Sequence, residues 1–576
     1  MNRKNLLYLI ISLQLFTTSY SQNKKLRIIG QDSLSKDFIE KTKYKQESLS
    51  AKESKRECKR IINKAQQNGY FFAEIISKEE KKDTLSIKTF VLNKKYKTIT
   101  INYNQKKITK RELESMLPKK TNIKDRYFIL ETSNTKQSLN KILEHISNNG
   151  KTFSNIQLKN IHIERKKVIA DLKIEISKPR EITGIKIKGY EKFPAKFIKH
   201  YLKIKKNQKI NLTTLDEKNK GIQNLKFAKT KNKPEILFSK DSTIVYLTIE
   251  KIKSNTFEGF LGFSSNEESG KVELNGNIDL RLLNNLNKGE EINIKYLSTE
   301  NEQKETNIKI KIPYIINSPI SITGELKIFK KDSIFTNNTQ SIITSYTLNK
   351  NTELGIGIKK KSSNTLNSIT NYEDYETDTY SLNLRHEVPN TNELFENKTK
   401  TSITTSIGKR KTKSKKNKQQ EIKLSTEYIF KINNKNSIFI KSNNYYLFNN
   451  NTLENELLYI GGIKSIRGIK ENSIPSTQYS IINSEYRIIL NQNLFTHTVF
   501  DYAITKSNEN NRFDKIIGFG IGFGINTNNN MFRFVFANSK INNQQIKISE
   551  SKIHISLKTR FWNKKKIKQK NTKTFY

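Results

Sequence analysis

The side chains suited to covalent or metal chemistry are sparse and scattered. The six histidines (His145, His162, His200, His386, His497 and His554) show no metal-ligand spacing. The single cysteine, Cys58, excludes an intramolecular disulfide and any zinc site built from several thiolates. There is no Gly-x-Ser-x-Gly, no His-Glu-x-x-His and no phosphate loop. The run Gly518, Gly520, Gly522, Gly524 imitates a dinucleotide loop, but that pattern needs glycine at 523, which is Phe. It reads instead as a strand with one apolar face (Ile517, Phe519, Ile521, Phe523, Ile525) and one bare face that leaves room for something beside it. The sequence therefore implies neither an enzyme nor a cofactor.

One stretch is different. IGGIKSIRGIKENSI (Ile460–Ile474) is a glycine-punctuated loop with a single arginine in a tight turn, Arg467 followed by Gly468. Two acids follow on alternating segments. In YSIINSEYRIIL (Tyr479–Leu490), Glu485 shares a face with Asn483 and Arg487, opposite Ile482, Tyr486 and Ile488. In LFTHTVFDYA (Leu494–Ala503), Asp501 lies opposite Phe500 and Tyr502, although Val499 shares its face. A guanidinium folded between two carboxylates makes a charge-assisted, bidentate pair that would pin the loop. Charges alone leave that reading open beside the plainer one, a solvated loop arginine with no fixed partner.

Two kinds of element must position these residues. Over residues 26–252 a unit of roughly 75–85 residues recurs, ordered strand, helices, strand, strand. Its copies open at LRIIG (Leu26–Gly30), YKTITI (Tyr96–Ile101) and ITGIKIKGY (Ile182–Tyr190). Helices at Lys59–Gly69 and Leu139–Gly150 both end at glycine. From Thr256 to Trp562 period-2 alternation takes over, clearest in VELNGNIDLRL (Val272–Leu282). Strands of ~10 residues fit about 16 times into that region, as in a closed membrane barrel whose apolar face meets lipid. The expected fold is thus α+β repeats followed by an all-β transmembrane barrel. The expected boundaries are 22–94, 95–178 and 179–253 for the repeats, 254–562 for the barrel, and 563–576 for a basic, disordered tail.

Composition sets the surroundings. The chain has 576 residues, with 105 Lys+Arg against 55 Asp+Glu, a formal net charge of +50. Lysine is spread along the whole chain with no basic patch or reading helix, so nucleic acid is not the expected partner. Residues 1–21 carry Arg3 and Lys4, an apolar run from Leu6 to Phe16 and small residues at Ser19 and Ser21, the layout of an export signal.

The loop carries a resemblance. Gly461-Gly462-Ile463-Lys464-Ser465-Ile466-Arg467-Gly468-Ile469 resembles the motif GG-x-x-[ST]-[VI]-R-G-[FY] in the sixth extracellular loop of the BamA/TamA-like outer-membrane assembly superfamily, departing only at Ile469. Asn483-Ser484-Glu485-Tyr486-Arg487, Phe500-Asp501-Tyr502 and the Pro-Tyr step in IKIPYIINSPISITG (Ile310–Gly324) are similar to the segments around it. The resemblance implies periplasmic POTRA repeats, a 16-stranded barrel, and Glu485 and Asp501 as lumenal partners of Arg467. It also implies a seam between the first strand, with Phe257, Gly259 and Gly262, and the last, with Ile553, Ile555, Leu557 and Phe561. The implied work is templating at that seam, with outer-membrane lipid around the barrel and unfolded outer-membrane or secreted proteins as clients. An inner-membrane partner at the repeats belongs to the same expectation. Three repeats suit TamA-like members better than the five usual in BamA. A dedicated two-partner secretion pore or porin-like channel is the alternative, although no plug helix is evident before Leu26.

Overall fold

The computed structural model describes residues 25–47, 49–77, 85–265, 272–299, 303–366, 372–390, 392, 394–449, 451–506, 512–562 and 573–575. Residues 1–21, expected to be an export signal, lie outside them. The described residues form two compact units: those up to Glu181 with Lys209–Thr213, and Ile182–Gln208 with those from Thr214 onward.

Three small sheets share one plan. In each, the first strand runs parallel to the last: Lys25–Gly30 beside Leu85–Val91, Thr98–Asn102 beside Lys167–Glu175, and Gly184–Gly189 beside Thr243–Lys251. The strand before the last pairs with it antiparallel: Glu74–Ser77, Asn155–Glu164 and Glu235–Phe238. A parallel pair needs a crossover, and helices supply it. Helix Ala51–Gln67 starts at a capping box in which Ser50 and Glu53 satisfy each other's backbone N–H groups; Thr109 and Glu112 do the same for Lys110–Met116. Ile61 and Ala65 turn inward against Leu26, Ile28 and Phe90, and Ile142 and Ile146 against Ile99, Ile101 and Phe128. The second sheet departs from the expected order. A hairpin, Asn122–Ile123 with Tyr127–Glu131, is inserted between its helices and pairs with Thr98–Asn102.

The remainder closes into a sixteen-stranded antiparallel barrel. Its strands, numbered alone, are β1 Asn255–Ser265, β2 Val272–Leu283, β3 Glu291–Ser298, β4 Gln303–Ile312, β5 Ile320–Lys331, β6 Phe335–Asn349, β7 Thr352–Thr365 and β8 Tyr375–Pro389. Then follow β9 Asn397–Thr412, β10 Lys416–Lys431, β11 Asn436–Asn449, β12 Gln478–Ile489, β13 Leu494–Lys506, β14 Phe513–Thr527, β15 Asn530–Ile541 and β16 Lys552–Phe561. Alternation decides which face is which. Ile356, Tyr380 and Ile521 stand outward, 69%, 70% and 64% exposed, while Asn483, Glu485 and Asp501 are buried inside. An outward belt of Ile, Leu, Phe and Tyr requires an apolar surround, so this is a barrel of the membrane-spanning kind.

The expected disorder of the basic tail is corrected in part. Lys573–Phe575 adds a strand antiparallel to Gly184–Gly189, opposite Ile187, Lys186 and Ile185. An open sheet edge offers unpaired N–H and C=O groups to any extended segment within reach.

Candidate functional site: a loop pinned inside the barrel

Between β11 and β12 the chain does not turn back at the rim. Residues 451–477 fold into the lumen, carrying a short ribbon of Leu458–Ile460 against Ile474–Ser476. The loop tip is stitched by its own residues. Gly462 N–H donates to Ile466 O at 3.1 Å, Ser465 N–H to Gly462 O at 3.1 Å, and Gly461 N–H to Ser465 Oγ at 3.2 Å. Asn483 Nδ2 reaches from the wall to Ser465 O at 2.7 Å.

These bonds set Arg467 against β12 and β13. Its Nε and Nη2 donate to Asp501 Oδ2 and Oδ1 at 2.9 and 2.5 Å, and its own backbone N–H also donates to Oδ2 at 2.8 Å. Its Nη1 donates to Glu485 Oε1. The other Glu485 oxygen accepts from Arg487 Nε at 2.7 Å and Nη2 at 2.6 Å. Asp501 is fully buried and Arg467 is 5% exposed. Two cations and two carboxylates balance, which is what makes a buried ionic cluster tolerable. Of the two readings that the charges left open for Arg467, the geometry has the paired one.

Close approach depends on two glycines. Gly468 sits at φ +89°, where a Cβ would lie 2.6 Å from the Asn538 carbonyl carbon. A Cβ on Gly518 would lie 2.6 Å from the Arg467 carbonyl oxygen. The bare face of β14 is therefore occupied by the loop at Gly518, by His497 at Gly522 and by Phe495 at Gly524. On β13, Val499 packs with Val535 and Ala537 of β15, while Ala503 faces the loop. Ile466, wholly buried, packs on Ile481, Ala503 and Ile516, so part of the wall facing the loop must be apolar.

A second anchor carries no sequence signal. At the start of the loop, Glu456 Oε2 accepts from Arg410 Nη1 at 2.5 Å and its Oε1 from Gln419 Nε2 at 3.0 Å. Beside it, Asn455 donates to Ser363 Oγ at 2.7 Å, and its carbonyl accepts from Asn337 and from the Tyr375 hydroxyl. Each of these partners stands on a different strand, at separations from which periodicity predicts nothing. Outside the strands, Glu471 accepts the Ile463 N–H at 3.3 Å, and burial pushes its carboxyl above the usual range.

The seam joins β1 to β16. Among the described residues it holds four register pairs, from Asn255↔Phe561 to Glu258↔Lys558. The flanking ladders have ten between β1 and β2 and eight between β15 and β16. Phe257 and Phe561 lie in the paired part. Gly259 and Gly262 pair with Ile278 and Asn275 of β2, and Ile553, Ile555 and Leu557 pair with β15, without reaching across to each other. Pairing stops where Gly259 adopts φ +151°, a backbone form that side chains resist. A cavity of about 540 Å³ opens there, lined by Gly259, Gly276, Ile469, Glu471, Ile553 and Ile555.

No family model matches the chain, and no curated protein does. Solved structures do. CdiB from Escherichia coli is 12% identical with a TM-score of 0.51, covering 88% of this chain and 97% of that one. CdiB from Acinetobacter baumannii is 15% identical with a TM-score of 0.49, over 81% and 91%. BamA from Haemophilus ducreyi lacking POTRA domains 1–3 is 12% identical with a TM-score of 0.48, over 77% and 94%. The likeness to CdiB from Escherichia coli is one of fold, and in this chain that fold is a closed sixteen-stranded barrel behind small α/β sheets.

Proposed function

We propose that this protein sits in an outer membrane and helps other proteins insert into or cross it, by lending strand edges at the β1–β16 seam. The observation that carries the reading is the seam itself, where four register pairs close a barrel whose neighbouring ladders are at least twice as long. On the side away from β15, residues Lys552 to Ser556 of β16 line a cavity instead of pairing with β1, and an extended client segment satisfies such backbone groups by β-augmentation. No bond is made or broken, so the work is templating. The pinned loop braces the wall beside the seam, with Ile469 and Glu471 lining the opening.

In this reading residues 1–21 are an export signal, and segments 22–94, 95–178 and 179–253 are POTRA-like repeats in the periplasm. Lipid surrounds segment 254–562, and an inner-membrane protein is a candidate partner for the first repeat. The test is depletion followed by quantitative proteomics of the outer membrane. Loss of many barrel proteins supports general assembly. Loss of one or two surface or secreted proteins, with barrels unchanged, would assign a dedicated transporter instead. An unchanged proteome would overturn both. A disulfide across the seam, Phe257→Cys with Thr559→Cys in a Cys58→Ser background, should reproduce depletion until it is reduced.

A further inference from the structure

Between β8 and β9 the described residues Asn390, Asn392 and Leu394–Glu396 also turn into the lumen, from the end opposite the long loop. This is a built turn: Asn390 N–H donates to Glu396 O at 3.0 Å, and Leu394 N–H to Asn392 Oδ1 at 2.9 Å. Leu394 and Phe395 are buried with Ile429 and Phe495. Phe395 meets the Phe495 ring edge-on at 5.1 Å and lies 4.5 Å beneath the Arg487 guanidinium. Through Arg487 the turn touches the Glu485 cluster that holds Arg467.

The next residue reaches the seam. Glu396 Oε1 pairs with Lys558 Nζ. Lys558 is the last β16 residue paired with β1, and its ammonium also lies 3.9 Å from Glu258, its register partner. Glu258 in turn lies 3.6 Å from Lys464 of the long loop. The clasp therefore stands where backbone pairing ends. On its other side the turn follows Glu387, which receives Lys226 of the third repeat in a largely buried ion pair.

We propose that turn 390–396 is a latch: Glu396 holds the seam closed through Lys558, and the third repeat holds the turn in place through Lys226. Displacing the third repeat leaves Glu387 with Arg385 as its remaining cation, loosens the turn and weakens the clasp where unzipping must start. The inference rests on the seam-templating reading for its use, but the seam position is measurable without any client.

Spin labels on Phe257→Cys and Thr559→Cys in purified full-length protein (Cys58→Ser) report the seam distance by pulsed electron resonance. Glu396→Gln keeps the shape of the side chain and should raise the open population about two- to fivefold, the range of a partly exposed ion pair. Lys558→Gln should do the same, and the double variant should open no further than either alone. Lys558→Arg should stay closed. Lys226→Gln should open the seam unless Glu396→Gln is already present. Heat-modifiable gel migration checks that each variant folds. An unchanged distance in folded Glu396→Gln, or additive opening in the double variant, refutes the latch. Neither result bears on the proteomic test, so the two proposals fail separately.

Discussion

Arg467→Ala is the perturbation whose size follows most directly from the geometry. It removes three side-chain hydrogen bonds and one of the two cations in a buried cluster. Glu485 keeps Arg487, but Asp501 keeps only the Arg467 backbone N–H. Breaking one side of a buried ion pair costs about 3–5 kcal/mol, mostly the penalty of the stranded charge. That cost falls on the seated loop, because an unseated loop lets water reach Asp501. At about 1.4 kcal/mol per tenfold, the unseated population should rise about 10²- to 4 × 10³-fold. The assay is maleimide labelling of Ile466→Cys, a wholly buried position, in a Cys58→Ser background. Arg467→Lys should fall between, since an ammonium keeps the charge but not the fork. Arg487→Ala should do less than Arg467→Ala, because Asp501 retains its partner. A less than tenfold rise for Arg467→Ala, or equal effects from both alanine variants, would refute the argument that the Asp501 pair seats the loop.

Three further outcomes are expected. Gly518→Ala should unseat the loop at about 1–3 kcal/mol, the cost of overpacking, since its Cβ meets the Arg467 carbonyl; an unchanged labelling rate would contradict the close approach. Arg410→Ala strands Glu456, which still has Gln419 and Asn449, and should speed proteolysis of residues 451–460 while leaving Ile466→Cys labelling within a few-fold, because the two anchors share no partner. At low pH the first two repeats should loosen before the rest. The Ser50 hydroxyl and N–H hold the Glu53 carboxyl below its usual range, and those of Thr109 hold Glu112 down likewise. A carboxyl depressed in the folded state contributes stability that is complete above its unfolded pKa, about 4.3, and that drains away as pH falls through the folded value. Hydrogen-exchange protection at amides 53–57 and 112–116, corrected for intrinsic rates, should drop below about pH 4; Glu53→Gln should flatten that response in the first helix.

The fold and the loop motif were legible in the sequence for different reasons. Alternation such as Ile278, Leu280, Leu282 against Asn277, Asp279, Arg281 has to put one set outside, because a one-residue slip would expose every polar group to lipid. Helices that stop just before Gly69 and Gly150 are equally local. So was the choice of Glu485 and Asp501, since parity along a strand fixes the side on which a residue stands. The hairpin Asn122–Ile123 with Tyr127–Glu131 was not read, because short strands carry too few residues to display a period.

By itself the sequence determined the elements, the faces of its strands and the residues able to form an ionic clasp. All of these depend on neighbours within a turn or two along the chain. Only the tertiary structure decided which charges meet. Glu456 finds Arg410, Glu396 finds Lys558 and Phe395 slides under Arg487 because barrel closure brings distant strands to one lumen. The wall also yields to what fills it: glycines at Gly518, Gly522 and Gly524 and the apolar patch of Ile481, Ala503 and Ile516 make sense only once the loop, His497 and Phe495 are inside. Register pairing across the seam is likewise a property of the closed ring, since which residues of β1 and β16 come to face each other is set only when the ring closes.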